Sequence, residues 1–469
     1  MSGPTGTAAR PPVTPGTERP APLSTAQARL WFVHSSRPPT AEYNLQVALL
    51  LHGEPDTEAL LASVHRVVER HEPLRTVVAP RPDGLPVQRV LDGRRPPVDR
   101  RPAPEGADTM ARAVAVADEE LAAVFDLERE PPLRVRLARV TDDAWVLALT
   151  LHHLAFDGWS TALLLEELDQ GCSGAEAKPL PVSYSDYAWW ERRVLERERE
   201  ELLRHWLAEL DGAEELDLPA DRPGHGVGGP MGTVRHALSP GTWERLRSVS
   251  RGAGATPFAV ALAAYFAVLG RYSGQRDFVV GLPVSGRTDM SLEPLIGCFV
   301  NTLCLRASVR PRESFLDLVR RTHRTLARAV AHQALPFEEL VRRARPDRRS
   351  DRNPLFRAFC SAVDGLPPPV RLGGIECELV APEYGLSRFD INATFVLDPS
   401  SPLVQIDYSR SIFDDATGEG FAARLGVFLD WAVARPDRAV ADVPWMSPAQ
   451  RRGVLDLLNG GAGTSGGRR

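Results

Sequence analysis

The stretch Leu149-Thr150-Leu151-His152-His153-Leu154-Ala155-Phe156-Asp157-Gly158-Trp159-Ser160 constrains the fold more than any other part of the chain. The apolar run Trp145 to Leu151 reads as a short buried strand. Trp159 to Gln170 reads as a helix, with Leu163, Leu164, Leu165 and Leu168 apolar and Gly171 as the stop. A strand that passes through two histidines into a helix belongs to a mixed α/β chain, and the rest of the sequence alternates in the same way. Asp56 is placed to cap a helix from Thr57 to about Glu72, with Leu60, Leu61, Val64, Val67 and Val68 along one stripe. Thr256-Pro257 predicts a helix start, because proline at the first helical position gives up no hydrogen bond. A long helical pattern runs from Trp189 through Trp206 to Leu210. Asp277 to Gly281 predicts a strand, and Phe315 to about His332 an amphipathic helix. The linker-like stretch 171–181 predicts two lobes, 22–181 and 182–458, between disordered tails at 1–21 and 459–469.

The chain has 469 residues and a net charge of −5, so bulk charge gives no attraction to nucleic acid. Five cysteines, Cys172, Cys298, Cys304, Cys360 and Cys377, are scattered without CxxC spacing. That argues against a disulfide framework or a zinc site and fits a reducing, cytoplasmic setting. No apolar run reaches about 18 residues, and no apolar segment follows the Met start, so neither a membrane span nor a secretory signal is expected. No HExxH pattern supports a bound metal, and no GxSxG supports a serine-hydrolase elbow.

Side chains alternate along a strand, so His152 and His153 are expected to point to opposite sides. One can face a cavity, and the other is held in the packing by hydrogen bonds. The N-terminus of the following helix disfavours an imidazolium beside it, which leaves a neutral histidine able to accept a proton. Gly158 allows a sharp turn or the close approach of a ligand, and its N–H is a candidate donor to a developing oxyanion. Two adjacent histidines at a strand end are also compatible with ordinary packing. Asp157 either orients a histidine or pairs with an arginine, and the second reading is favoured.

His152-His153-x-x-x-Asp157-Gly158 resembles the HHxxxDG signature of nonribosomal peptide synthetase condensation domains, shared in shorter form by chloramphenicol acetyltransferase-like enzymes. Six further stretches resemble that family's motifs in order. They are Ser24 to Trp31, Arg70 to Thr76, Tyr184 to Trp190, Ile296 to Thr302, His332 to Glu338, and Ser350 to Leu355. Arg388-Phe389-Asp390 also fits.

The resemblance implies an α/β fold of two chloramphenicol acetyltransferase-like lobes in a V-shaped pseudo-dimer. The active site would lie at the lobe junction, on a tunnel with a carrier protein at each mouth. It implies that His153 faces the tunnel and that Asp157 pairs with Arg287 of the Gly281-Leu282-Pro283-Val284-Ser285-Gly286-Arg287 stretch. His152, His153, Asp157 and Gly158 are the expected catalytic residues. Arg287, Trp159, Ser160 and Asn301 are expected to bind substrate or support the site. Arg75, Tyr184, Tyr187, Trp189 and Trp190 are expected to pack or form ion pairs, and Asn353-Pro354 to turn the chain. The implied reaction joins an acyl or aminoacyl thioester on a peptidyl carrier protein to an amine or alcohol acceptor, small or carrier-bound. The phosphopantetheine arm arrives with the carrier, and no permanently bound cofactor or metal is expected. His153 would accept the proton, or position and stabilise the tetrahedral intermediate. With no carrier or adenylation segment in the sequence, a free-standing enzyme of natural-product biosynthesis is expected, such as one that tailors a polyketide or enediyne core. An epimerization domain and a non-catalytic docking module are the alternatives.

Overall fold

The computed structural model describes residues 12–16, 19–36, 38–81, 84–224, 226–344, 355–363, 370–381, 385–445 and 452. Two six-stranded sheets organise them. In the first, the strands run in the order Val370–Leu372, Ile375–Leu379, Asn44–His52, Ala144–His152, Leu133–Thr141 and Val98–Asp99. Asn44–His52 and Ala144–His152 pair antiparallel along their whole lengths, from Asn44 opposite His152 to His52 opposite Ala144.

Both faces of these two strands are covered, which explains their nearly unbroken apolar sequences. Leu49, Leu51, Leu147, Leu149 and Leu151 pack against Leu60, Val64, Val67, Leu164 and Leu168 of the helices Thr57–Arg70 and Gly158–Cys172. Ala48, Leu50, Val146 and Ala148 pack on the other face against Ala113, Val116 and Ala117 of the helix Thr109–Leu121. Asp56 caps the first of these helices, accepting from the N–H groups of Glu58 and Ala59. That helix stops at Arg70 rather than Glu72. Pro73 has no N–H with which to continue it, and Glu72–Arg75 forms a 3-10 turn instead.

The second sheet runs Asn301–Ser308, Asp277–Val284, Ala358–Val363, Ile391–Val396, Leu403–Ser409 and Met231–Ala237. The helices Thr242–Ala253, Pro257–Ser273, Phe315–Ala331 and Asp415–Ala434 pack on it and on one another. Thr256 caps the second of these, and every residue from Ala259 to Gly270 is buried. No single helix among the described residues is long and apolar enough to cross a membrane.

The helix Tyr184–Leu210, opened by a Ser183–Asp186 capping box, ties the lobes together. Its first half reaches the N-terminal lobe, where Ser185 Oγ donates to Glu72 and Thr25 N–H donates to Glu191, and its second half buries Leu202, Leu203 and Trp206 in the C-terminal core.

Two expectations need correction. The division at residue 181 does not hold for every strand. Ile375–Leu379, from the second half of the sequence, pairs with Leu49 to Leu51 and extends the first sheet. The expected N-terminal tail is ordered where it is described. Val13 is buried in the cluster around Tyr184 and Trp190, Gly16 N–H donates to Asp186 at 3.0 Å, and Ala21–Pro22 pairs with Val87 and Gln88. One buried valine, a hydrogen bond to Asp186 and two backbone ladder positions hold the described part of this stretch against the fold. The tail 459–469 and the Asn353-Pro354 turn lie outside the described residues.

Candidate active site

The Ala144–His152 strand ends where its sheet face changes purpose. His152 follows Val146, Ala148 and Thr150 on the same face, and it is buried. The rings of His34, Tyr43 and Phe125 surround it, and its Nδ1 accepts from Leu154 N–H at 3.1 Å. Burial first, then the neighbouring imidazoles of His34 and His153 and the Arg388 guanidinium, lower its pKa to about 3. His152 is therefore held neutral in the packing, where it shapes the turn.

His153 begins the turn and is partly exposed. Its N–H donates to the Tyr43 carbonyl at 2.8 Å, and its Nδ1 lies 2.7 Å from the Phe156 carbonyl. A carbonyl can only accept, so Nδ1 carries the proton and Nε2 keeps its lone pair. Burial, then the charges of Arg388 and Arg29, lower the pKa of His153 to about 4, while Asp157 acts in the opposite sense. Cys298 Sγ stands 3.7 Å from Nδ1. Its thiol is pushed up to about 12, chiefly by burial, and stays protonated.

Asp157 caps the Gly158–Cys172 helix, and its oxygens are taken up by structure. They accept from Ser160 N–H at 3.0 Å, Ser160 Oγ at 2.7 Å and Phe299 N–H at 3.1 Å. They also receive a two-pronged contact from Arg287 at 2.7 and 3.2 Å. Asp157 thus pairs with the arginine, as favoured from the sequence, rather than hydrogen-bonding the histidine. The pair is deeply buried, with side-chain exposures of 1% for Arg287 and 3% for Asp157.

Arg287 continues to Ser160 Oγ and the Leu295 carbonyl, and its guanidinium lies between the rings of Phe299 and Trp159. Trp159 itself donates to the Glu293 carbonyl at 3.1 Å. Ser160, Trp159 and Arg287 therefore form an inter-lobe latch. Gly286 serves it too. Its φ is +67°, and a Cβ there would meet the Phe299 carbonyl oxygen at 2.0 Å.

Gly158 is neither strained nor crowded. It opens the helix, is exposed, and has nothing within 4 Å of where a Cβ would stand. Of the two uses open to it, a sharp turn is not the one it serves, and the space on its Cβ side is free. Asn301 uses its whole amide structurally: Nδ2 donates to the Gln333 and Leu335 carbonyls, and Oδ1 accepts from Thr302 and Phe337 N–H. It fixes the loop that, with Thr25, Arg29, Glu191 and Phe299, lines a narrow crevice between the lobes. His153 is not on that crevice's wall, but Arg29 and Val300, two residues beyond Cys298, are.

The other motif residues pack or pair. Arg75 binds Asp92, Tyr184 donates to the Cys298 carbonyl, Tyr187 donates to Glu191, and Trp190 is buried. His71 joins the lobes as well. Its Nε2 meets Glu167, and its Nδ1 accepts from Ile296 N–H at 3.2 Å. Sequence reasoning does not single out Arg29, Cys298 or Arg388, although each sits inside one of the motif stretches. Their side chains converge on His153 only through the fold. Among the described residues no three His, Cys, Asp or Glu side chains gather in a metal-binding arrangement.

The motifs, the two lobes and the latch define a condensation domain, and the chain belongs to that family: the family model for the condensation domain matches residues 17–455. The relatives are modules of nonribosomal peptide synthetases. The chain is 36% identical over 465 residues to the phosphinothricin tripeptide synthetase PhsC of Streptomyces viridochromogenes, covering 95% of this chain and 42% of that protein. It is also 36% identical to one of the linear gramicidin synthase proteins of Brevibacillus parabrevis, covering 98% of this chain and 6% of that one. The chain thus spans less than half the length of either protein. Among solved structures, the X-domain in the complex of the X-domain and OxyB from teicoplanin biosynthesis matches with a TM-score of 0.82 and 27% identity, over 94% of this chain and 100% of that one. The SgcC5 protein from Streptomyces globisporus matches with a TM-score of 0.69 and 26% identity, over 89% of this chain and 100% of that one. The fold is the chloramphenicol acetyltransferase-like two-lobe fold of condensation domains.

Proposed function

We propose that this chain is a free-standing condensation enzyme that transfers an acyl or aminoacyl group from a carrier-protein thioester to an amine or alcohol, with His153 as proton acceptor. The observation that carries the reading is the Nδ1 contact of His153 with the Phe156 carbonyl, because it reserves Nε2 as a base. As the acceptor heteroatom attacks the thioester carbon, its proton passes to Nε2. The tetrahedral intermediate then collapses, the C–S bond breaks, and the pantetheine thiolate leaves and recovers the proton from the imidazolium. An amine needs this help less than an alcohol, because an α-amine with a pKa near ~8 is partly neutral in neutral solution. General-base assistance contributes about 10²–10⁴-fold, and the alignment of tethered reactants contributes more. The match to SgcC5, whose structure holds (R)-(-)-1-(2-naphthyl)-1,2-ethanediol, favours an alcohol acceptor and therefore an ester product.

The test is mass spectrometry of an acyl-loaded carrier protein incubated with pooled amine and alcohol acceptors. Wild-type protein yields an acylated acceptor, and His153→Ala lowers the yield by about 10²–10⁴-fold. Equal yields from the two proteins would refute the reading. Following the α-carbon configuration of an L-aminoacyl carrier incubated alone separates condensation from epimerization. The complex of the related X-domain with OxyB favours a second reading, a docking module. It would be supported if no acyl transfer occurred while a tailoring protein bound the fold.

A further inference from the structure

Arg388 comes from the loop before the Ile391–Val396 strand of the C-terminal lobe, yet its contacts lie across the junction. One terminal nitrogen donates to the Glu42 carbonyl at 3.2 Å, and the guanidinium stands 5.4 Å from the centre of the Tyr43 ring. The Tyr43 carbonyl is the acceptor that holds His153 N–H at 2.8 Å. Arg388 thus grips, from the opposite lobe, the short segment that anchors the main chain of His153.

We propose that Arg388 is a positioning residue for the acyl transfer described above: from the opposite lobe it fixes the Glu42–Tyr43 segment whose carbonyl holds the His153 main chain. The inference rests on His153 acting as the base. A planar guanidinium suits this grip, because it can stack on a ring and donate in its own plane at once. A second positive charge close to it is disfavoured.

The other groups that bear on His153 are few. Arg29, from the helix Thr25–Ser36, acts in the same sense as Arg388. Asp157, in the same turn, acts against it. His152 is neutral, and Cys298, from the facing loop, is a protonated thiol. With Arg388 removed, Arg29 and Asp157 oppose each other and burial alone keeps the ring neutral. The proton affinity of His153 then rises.

The test follows the His153 ring by NMR of protein labelled with ¹⁵N-histidine, alongside acyl transfer to the pooled acceptors. In wild-type protein the ring stays neutral at pH 5.5. In Arg388→Gln it gains proton affinity by about tenfold, one pKa unit, so a protonated fraction becomes visible, and transfer slows more at pH 5.5 than at pH 8. Arg388→Lys restores the neutral ring but not the full rate, because the ammonium keeps the charge without the planar grip. A ring titration unchanged in Arg388→Gln overturns the proposal, even if the rate falls, since a purely structural role would produce that result. Full recovery of rate by Arg388→Lys overturns it too. If wild-type protein transfers no acyl group, the proposed reaction fails while the ring titration still decides whether Arg388 bears on His153.

Discussion

Replacing Arg287 by leucine should expose the cost of the latch. The guanidinium and the Asp157 carboxylate are both almost wholly removed from water. Arg287→Leu takes two charged hydrogen bonds from Asp157, and also the donors to Ser160 Oγ and the Leu295 carbonyl. Asp157 is left as a buried anion with three remaining donors, Ser160 N–H, Ser160 Oγ and Phe299 N–H. Breaking a buried pair from one side costs about 3–5 kcal/mol, and the surviving donors place this case at the lower end. An unfolding entropy of ~2.1 cal/mol/K per residue gives the whole chain about 1 kcal/mol/K. The melting temperature should therefore fall by about 3 °C in scanning calorimetry at neutral pH. The double variant Asp157→Asn, Arg287→Leu contains no bare charge and should melt above Arg287→Leu. If Arg287→Leu melts within about 1 °C of wild type, or the double variant melts below it, the latch does not carry the energy assigned to it.

Three further outcomes can be measured. Asn301→Leu strips the donors from the Gln333 and Leu335 carbonyls and should cost about 1–3 kcal/mol, read as a lower urea midpoint. Gly286→Ala puts a methyl group into the Phe299 carbonyl at a left-handed φ, and should destabilise by more than ~1 kcal/mol; an unchanged midpoint would mean that the loop moves freely. The two histidines fix the sign of a pH effect. Their folded pKa values, about 3 for His152 and about 4 for His153, lie below the ordinary 6.5. Below pH 6.5 the unfolded chain therefore binds protons that the native one does not, and stability falls with pH until the folded values are reached. By pH 5 each histidine should account for roughly 2 kcal/mol of loss, and His152→Phe should remove its share from the pH dependence of the urea midpoint.

Much of this is legible in the sequence where a local rule decides the outcome. The capping residues Asp56 and Thr256 open the helices that follow them, and the leucines of 163–168 lie on the helix they predict. The pairing of Asp157 with Arg287 rests on motif resemblance, because nothing local links residues 130 positions apart. Strand alternation shows that two adjacent histidines diverge but not which one is packed away, and only the motif resemblance singles out His153. The aromatic cage of His34, Tyr43 and Phe125 settles that, and those residues are far apart in the sequence. The described part of the N-terminal stretch is misread because its Pro and Gly content masks one valine with a buried seat. Arg388 stands out only as part of a motif, since its partners Glu42 and Tyr43 lie some 346 positions away.

The Ile375–Leu379 strand, laid beside Leu49 to Leu51, also bears on how the protein is made. A ribosome finishes the four strands between Asn44 and His152 more than two hundred residues before it delivers this strand. Until then the Asn44–His52 backbone offers an unsatisfied edge to any passing chain. A truncated piece ending at residue 181 should therefore self-associate or precipitate, and supplying 370–379 as a separate peptide should keep it dispersed.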